Sequence, residues 1–300
     1  MRGLSGAAQL ERAGRLTVLA CVVSTLYACS GFQIQVPTNS STTSGADSSY
    51  GYQPLDPVST TVQPIDAQGH CVTGRPTRDE LLGALPDETM RLAIGKIDAS
   101  GKVTYGPTSI SASNSQYVVT IDYVKSNTVA FFVKKDDPSP TSNGFTVRVV
   151  DSYEKADSSV PVYIGIGLRL TANLTTSAAG INLGNLLAIG AAAQANKLSG
   201  TLVLQTMGVT GENISTALPV PTEISVASIQ GAIQAIGTMK AKLYDSKTLI
   251  QPRVVAVYNT LGGGTTTING FIASVLGQVP RLNVPIATTA ETKLLTACPI

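Results

Sequence analysis

A single histidine, His70, limits the catalytic chemistry available to this 300-residue chain. One imidazole cannot build a multi-histidine metal site, and His70 is the only candidate base for a serine–histidine or cysteine–histidine pair. The chain also has no H-E-x-x-H motif, no G-x-S-x-G motif and no P-loop lysine after its glycines. We interpret His70 as an exposed residue, and we predict no catalytic residue, no cofactor and no metal site.

Two further motifs match catalytic patterns only in part. Ser152-Tyr153-Glu154-Lys155 has the S-x-x-K spacing of penicillin-binding enzymes, in which the serine begins a helix and the lysine accepts its proton one turn later. Here Ser152 ends a predicted strand and the partner motifs are missing, so we interpret the match as chance. Gly165-Ile166-Gly167 lacks the third glycine of a dinucleotide loop and falls inside a predicted strand, where glycines indicate close backbone approach or a bend.

The composition favours a folded protein and excludes some kinds of binding. Hydrophobic residues make up 43% of the chain, which is enough for a sizeable core. The net charge of +2 and the absence of any long basic run argue against a nucleic-acid partner. Tryptophan is absent and aromatic residues reach only 5%, which argues against platforms that stack on sugars or bases.

The N-terminus has the pattern of an export signal. Arg2, Arg12 and Arg15 outnumber the single acid Glu11, and residues 16–28 carry no charge. A positive region followed by roughly 7–15 apolar residues is typical of a secretory signal. The uncharged run is shorter than the about 20 residues that a membrane-spanning helix needs.

The uncharged run ends in Leu26-Tyr27-Ala28-Cys29, which resembles the bacterial lipobox. In that motif a leucine lies three residues before the cysteine that takes the lipid, and a small residue lies directly before it. Cys21 is rejected as the acceptor, because it leaves a much shorter apolar run. The alternatives are an ordinary cleaved signal and an uncleaved N-terminal anchor.

The resemblance implies that residues 1–28 are a signal peptide and that Cys29 is acylated, with fatty acids such as palmitate. Ser30 stands where inner-membrane retention requires Asp, so the resemblance implies sorting to the outer membrane. The domain would then lie in the periplasm or at the cell surface, held to the membrane by its N-terminal lipid.

Residues 29–65 are predicted to be a flexible tether. The stretch from 37 to 64 is rich in Ser, Thr, Gly and Pro, as in Ser40-Ser41-Thr42-Thr43-Ser44-Gly45. Such a sequence buries too little apolar surface to offset the entropy lost on ordering. The alternative is a segment that docks to a partner.

Cys71 and Cys298 are predicted to form a disulfide bond. They lie near the start of the predicted domain and at the end of the chain, and an envelope compartment is oxidising. The alternatives are two buried free thiols and an intermolecular bridge.

Residues 162–175 give the clearest strand signal, because apolar residues alternate strictly along one face. This strand is long enough to cross a membrane, although a packed sheet is favoured. Other predicted elements are a helix capped by Thr77, a hairpin over 90–105 that turns at Gly101, strands over 117–124, 128–134, 145–153, 199–209 and 253–258, and helices over 183–196, from 222 or 225 to 244, and over 267–276. The fold prediction is α+β, a mainly antiparallel sheet covered by two or three helices, in a single domain from 66 to 300.

These features predict a lipid-anchored envelope protein with a non-enzymatic binding or scaffolding role. The expected partner is another envelope protein or a second copy of the chain. The alternatives are an envelope hydrolase and a subunit of a membrane-inserted oligomer that uses the long alternating strand.

Overall fold

Two long strands organise the structure, a computed structural model that describes residues 51–106, 114–136, 147–211, 214, 222–262, 264–277, 280–289, 292–296 and 298. The strands in chain order are β1 (Gly51–Ser59), β2 (Thr61–Ile65), β3 (Asp87–Ile97), β4 (Val103–Tyr105), β5 (Gln116–Lys135), β6 (Val147–Val150), β7 (Ser158–Thr176), β8 (Leu198–Met207), β9 (Val209–Thr210), β10 (Thr222–Glu223), β11 (Leu249–Ile250), β12 (Arg253–Asn259) and β13 (Arg281–Pro285). The helices are α1 (Arg78–Gly83), α2 (Leu186–Gln194), α3 (Val226–Lys242) and α4 (Gly264–Gly277), and a 3-10 turn spans Tyr153–Lys155. The described residues fall in one compact unit.

Strands β5 and β7 pair antiparallel along nearly their whole length. Each strand is long enough to pair with two further strands along its other edge. Strand β5 pairs with β3 and then with β6, and β7 pairs with β12 and then with β8. The resulting nine-stranded sheet is antiparallel throughout its described pairs.

The predicted α+β class is wrong, because the chain is mostly antiparallel β-sheet. Strands account for 49% of the structure and helices for 22%. One reason lies in β5, whose residues 117–124 and 128–134 we predicted as two strands. Residues 125–127 continue the strand instead, because each pairs with a residue of β7 and the partner strand satisfies the backbone across the polar stretch.

The predicted tether is wrong for residues 51–65, which form β1 and β2. Strand β1 pairs antiparallel with β12, and β2 pairs parallel with β13. Both partners lie about two hundred residues further along the chain, so local composition carries no sign of them. The predicted signal peptide and the tether residues 29–50 lie outside the described residues.

Several local predictions are confirmed. Thr77 and Glu80 form the capping box of α1, in which each side chain accepts from the backbone N–H of the other residue. Gly101 has φ +81° in the turn between β3 and β4. Ser225 caps α3, whose last turn carries Lys240 and Lys242, where the helix dipole favours cations.

The sheet has two different faces. On one face, the predicted apolar side chains of β7 are buried, and α2 and α3 pack on β7 and β8. Gly190 of α2 lies against Val226 and Ile229 of α3, so this small residue permits close helix packing. Glu88 of β3 also projects to this face and pairs with Lys240 of α3.

The opposite face of β7 is also buried in the middle of the strand, from Tyr163 to Arg169. Tyr163 and Arg169 are almost inaccessible, whereas Asn173 is exposed. The sequence predicted one buried face for this strand, so burial of the second face is a result of tertiary packing. Strand β1 contributes to it by crossing from β12 towards β3.

Candidate functional site

A row of charged side chains crosses the face of the sheet opposite α3. Arg91 of β3 lies directly opposite Asp122 of β5, which lies directly opposite Arg169 of β7. Directly paired residues of neighbouring strands project from the same face. Arg91 is three residues from Glu88, so strand alternation places the row on the face away from Lys240.

Asp122 and Arg169 form a buried bidentate ion pair. Asp122 has no exposed surface, and Arg169 is 5% exposed. Arg169 donates from Nε to Oδ1 of Asp122 and from Nη2 to Oδ2, each at 2.7 Å. It also donates from Nη2 to the carbonyl oxygen of Val255 at 2.9 Å and from Nη1 to the carbonyl oxygen of Leu55. One side chain therefore joins β5, β12 and β1.

Tyr52 completes this cluster from β1. Its hydroxyl donates to Oδ2 of Asp122 at 2.5 Å. Burial, followed by the charge of Asp122, raises the pKa of Tyr52 well above its ordinary value. Burial opposes the charge of Arg169, but hydrogen bonding and attraction to Asp122 outweigh it and raise the pKa of Arg169. The raised pKa values keep Tyr52 protonated and Arg169 charged, an arrangement suited to fastening strands and not to proton transfer.

Arg91 borders this cluster without joining its hydrogen bonds. Its guanidinium carbon lies 4.4 Å from the ring centroid of Tyr163 and 5.5 Å from that of Tyr52. The two ring centroids are 5.7 Å apart, and Tyr258 lies opposite Tyr52 in the pairing of β12 with β1. We call Arg91, Tyr52, Tyr163 and Tyr258 the tyrosine–arginine patch. All except Tyr163 are half-buried.

Sequence reasoning missed every member of the cluster and the patch. Tyr52 lay in the predicted tether, and Arg91 and Asp122 lay in strands whose pairing was unknown. Arg169 could have been recognised from the sequence. A charged residue inside a long strand with alternating apolar residues must either pair with a buried partner or face solvent.

The S-x-x-K segment lies on the exposed 3-10 turn. Ser152 precedes the turn and makes no capping hydrogen bond with its side chain. The amine of Lys155 contacts both carboxylate oxygens of Asp151, at 3.0 and 3.3 Å. The lysine is therefore directed to a carboxylate, not to the serine.

The remaining motifs have local structural roles. The His70 side chain is 66% exposed, and its Nδ1 lies 3.1 Å from a carboxylate oxygen of Asp66, so the prediction that it is exposed is confirmed. A Cβ added at Gly167 would lie 1.9 Å from the carbonyl oxygen of Tyr123, which confirms close backbone approach. No group of three or more His, Cys, Asp or Glu side chains among the described residues is placed to hold a metal ion.

Cys71 and Cys298 are at disulfide distance, as predicted. Their Cα atoms are 5.3 Å apart, although the residues are 227 positions apart in the chain. Backbone bonds from Leu295 to Cys71 and from Thr73 to Lys293 hold the same two segments together. Cys29, the predicted lipidation site, lies outside the described residues.

Comparison with known proteins gives no relative. No protein-family model, curated protein or solved structure matches the chain. Within the described part of the chain, no helix is long and apolar enough to span a membrane.

Proposed function

We propose that this chain is a lipid-anchored envelope protein, acylated at Cys29, with a non-enzymatic binding or scaffolding role. The observation that carries the proposal is the lipobox-like Leu26-Tyr27-Ala28-Cys29 after a basic and then uncharged N-terminus. In this proposal the lipid lies in the outer membrane, the domain faces the periplasm or the cell surface, and the partner is another envelope protein or a second copy.

The Cys71–Cys298 pair supports an oxidising compartment. Structural disulfides persist in secreted and envelope proteins, whereas the cytosol keeps thiols reduced. A cysteine pair at bonding distance that fastens the end of the chain to the start of the domain is consistent with export.

The cluster of Asp122, Arg169 and Tyr52 and the neighbouring tyrosine–arginine patch support a binding role over a catalytic one. Asp122, Arg169 and Tyr52 are engaged with one another, so the cluster stiffens the sheet. The tyrosine–arginine patch combines the residue types that are enriched at the energetic centres of protein interfaces. A stiff sheet that presents such a patch suits a binding module.

Acylation is tested by metabolic labelling with an alkyne-bearing palmitate, followed by attachment of a reporter to the purified protein. The wild-type protein and the control variant Cys21→Ser should carry the label, and Cys29→Ser should not. Labelling of Cys29→Ser, or loss of label in Cys21→Ser, would contradict the proposed anchor.

The binding role is tested by crosslinking the tagged full-length protein in cells and identifying what co-purifies by mass spectrometry. A defined envelope protein or a crosslinked dimer supports the proposal. A lone monomer that turns over a cell-wall, lipid or peptide substrate would replace the binding role with a hydrolase.

A further inference from the structure

We infer that Arg91 in the tyrosine–arginine patch is the binding site for a carboxylate group. This inference rests on the proposed binding function and names the chemistry that the patch recognises. Its basis is a guanidinium that is held in place by aromatic rings while its own charge is left without a partner.

The position of Arg91 is set by two tyrosines. Its guanidinium lies within 6 Å of both ring centroids, the range in which a ring quadrupole attracts a cation. These ring contacts hold the planar group without occupying its N–H donors, which stay available to an acceptor. An arginine held in this way loses less side-chain entropy on binding than a free surface arginine.

No acidic side chain neutralises Arg91 within the described part of the chain. The neighbouring Asp122 accepts two hydrogen bonds from Arg169 and one from Tyr52, and none of these three bonds comes from Arg91. Asp87, on the same face of β3, is exposed, so solvent screens its charge. The row thus contains two guanidinium groups and one carboxylate, which leaves positive charge at a half-buried position.

Thr89 adds a second unmatched polar group beside Arg91. It lies two residues earlier in β3 and so projects from the same face. Its Oγ1 is buried and has no hydrogen-bond partner among the described residues. A buried hydroxyl without a partner is unusual, because its desolvation is not compensated.

A carboxylate is the ligand that matches these features. Its two oxygens accept parallel hydrogen bonds from a guanidinium fork, and the charge-assisted pair is stronger than a neutral hydrogen bond. The carboxylate can come from an acidic side chain of a partner protein or from a small dicarboxylic acid. The patch recognises the same chemistry in both.

The test uses the full-length protein in detergent micelles and its tyrosine fluorescence. The chain has 10 tyrosines and no tryptophan, so its intrinsic fluorescence comes from tyrosine alone. Two probes are titrated separately, sodium succinate and a triglutamate peptide with blocked ends. The variants are Arg91→Gln, Arg91→Lys, and Lys96→Gln as the matched control. Lys96 is an exposed cation of the same strand that projects from the opposite face.

The wild-type protein should give a saturable change with at least one probe. Arg91→Gln should weaken the affinity at least about tenfold, as expected for a lost charge-assisted bond. Arg91→Lys should lie in between because it keeps the charge but loses the fork, and Lys96→Gln should match the wild type. Response to succinate identifies a small acid as a ligand, and response to the peptide alone identifies acidic side chains.

The inference is overturned if neither probe saturates, if Arg91→Gln binds as well as the wild type, or if Lys96→Gln weakens binding equally. Near-ultraviolet circular dichroism of each variant checks that the fold is kept. The titration needs neither acylation nor a cellular partner. Its failure beside a positive crosslinking result would remove the carboxylate site and leave the proposed binding function standing.

Discussion

At the scale of single residues, the Asp122–Arg169 pair shows how a buried charge is tolerated inside a sheet. Removing two charges from water is expensive, and attraction between them offsets that cost only when geometry and further hydrogen bonds are favourable. Here Arg169 makes two bonds to Asp122 and two to backbone carbonyl oxygens, and Tyr52 takes a further position on Asp122. Through these bonds the pair links β7 and β5 to β12 and β1.

Breaking this pair should be costly. We expect Asp122→Asn to lower the free energy of unfolding by about 3–5 kcal/mol, because it leaves the buried charge of Arg169 uncompensated. Urea denaturation with the disulfide intact measures the change. The control Asp151→Asn removes an exposed acid that pairs with Lys155 and should have no measurable effect. Equal stability of the two variants would contradict the prediction that Arg169 depends on Asp122.

At the scale of elements, Glu80 connects α1 to the segment after β13. Its Oε1 accepts from the backbone N–H of Ala287 at 2.9 Å, and its Oε2 accepts from the backbone N–H of Thr77 at 2.7 Å. These bonds, with that of Ala287 the largest cause, lower the pKa of Glu80. The carboxylate form of Glu80 is therefore the form that stabilises the fold.

This connection predicts a dependence on pH. Because the folded pKa of Glu80 is lowered, its contribution is complete above its unfolded pKa of about 4.3 and is lost as the pH falls towards the folded value. Glu80→Gln should be less stable than the wild type at pH 7, and the difference should shrink at pH 3. Urea midpoints at both values measure this. Glu154→Gln, which removes an exposed acid on the 3-10 turn, should show no such change, and a Glu80→Gln deficit that is constant with pH would refute the connection.

Two glycines in different elements should respond in opposite ways to alanine. At Gly167 in β7 the new Cβ would meet the carbonyl oxygen of Tyr123, so backbone must move. We expect Gly167→Ala to destabilise by more than about 2 kcal/mol. At Gly237 in α3 nothing lies within 4 Å, and Gly237→Ala should stabilise the protein by about 0.5–1 kcal/mol through helix propensity. Thermal unfolding of both variants tests the pair, and tolerance of alanine at Gly167 would mean that β5 and β7 lie further apart.

At the scale of the whole molecule, the sheet is held by contacts between distant parts of the chain. The strand that begins the described residues pairs with β12, and the last strand pairs with β2. The Cys71–Cys298 pair closes a loop of 227 residues around nearly all of these elements. A covalent link of this span acts mainly by restricting the unfolded chain.

Removal of this link should therefore lower global stability without changing the pattern of strands. We expect Cys298→Ser to lose about 2–5 kcal/mol of unfolding free energy. The wild type should fall to the same level in reductant, whereas Cys298→Ser should be insensitive to it. Urea unfolding with and without reductant makes the comparison. A wild type that is indifferent to reductant would contradict a stabilising disulfide.

The sequence alone determined features that depend on neighbours in the chain. The Thr77–Glu80 capping box, the turn at Gly101 and the alternation that becomes β7 all rest on contacts within a few residues or on a local period. The predicted proximity of Cys71 and Cys298 rested on cysteine count and compartment. These signals do not depend on which strands meet in the folded chain.

Only the tertiary structure decided the strand content and the candidate site. Residues 51–59 look like linker by composition, and they become β1 because β12 supplies hydrogen bonds from two hundred residues away. Arg91, Asp122 and Arg169 form one row because the register of three strands aligns them. Register between distant strands is set by the packing of whole faces, since a shift of one residue would turn every side chain to the other face. Local residue propensities do not determine that alignment, so the charged row and the tyrosine–arginine patch form only in the folded sheet.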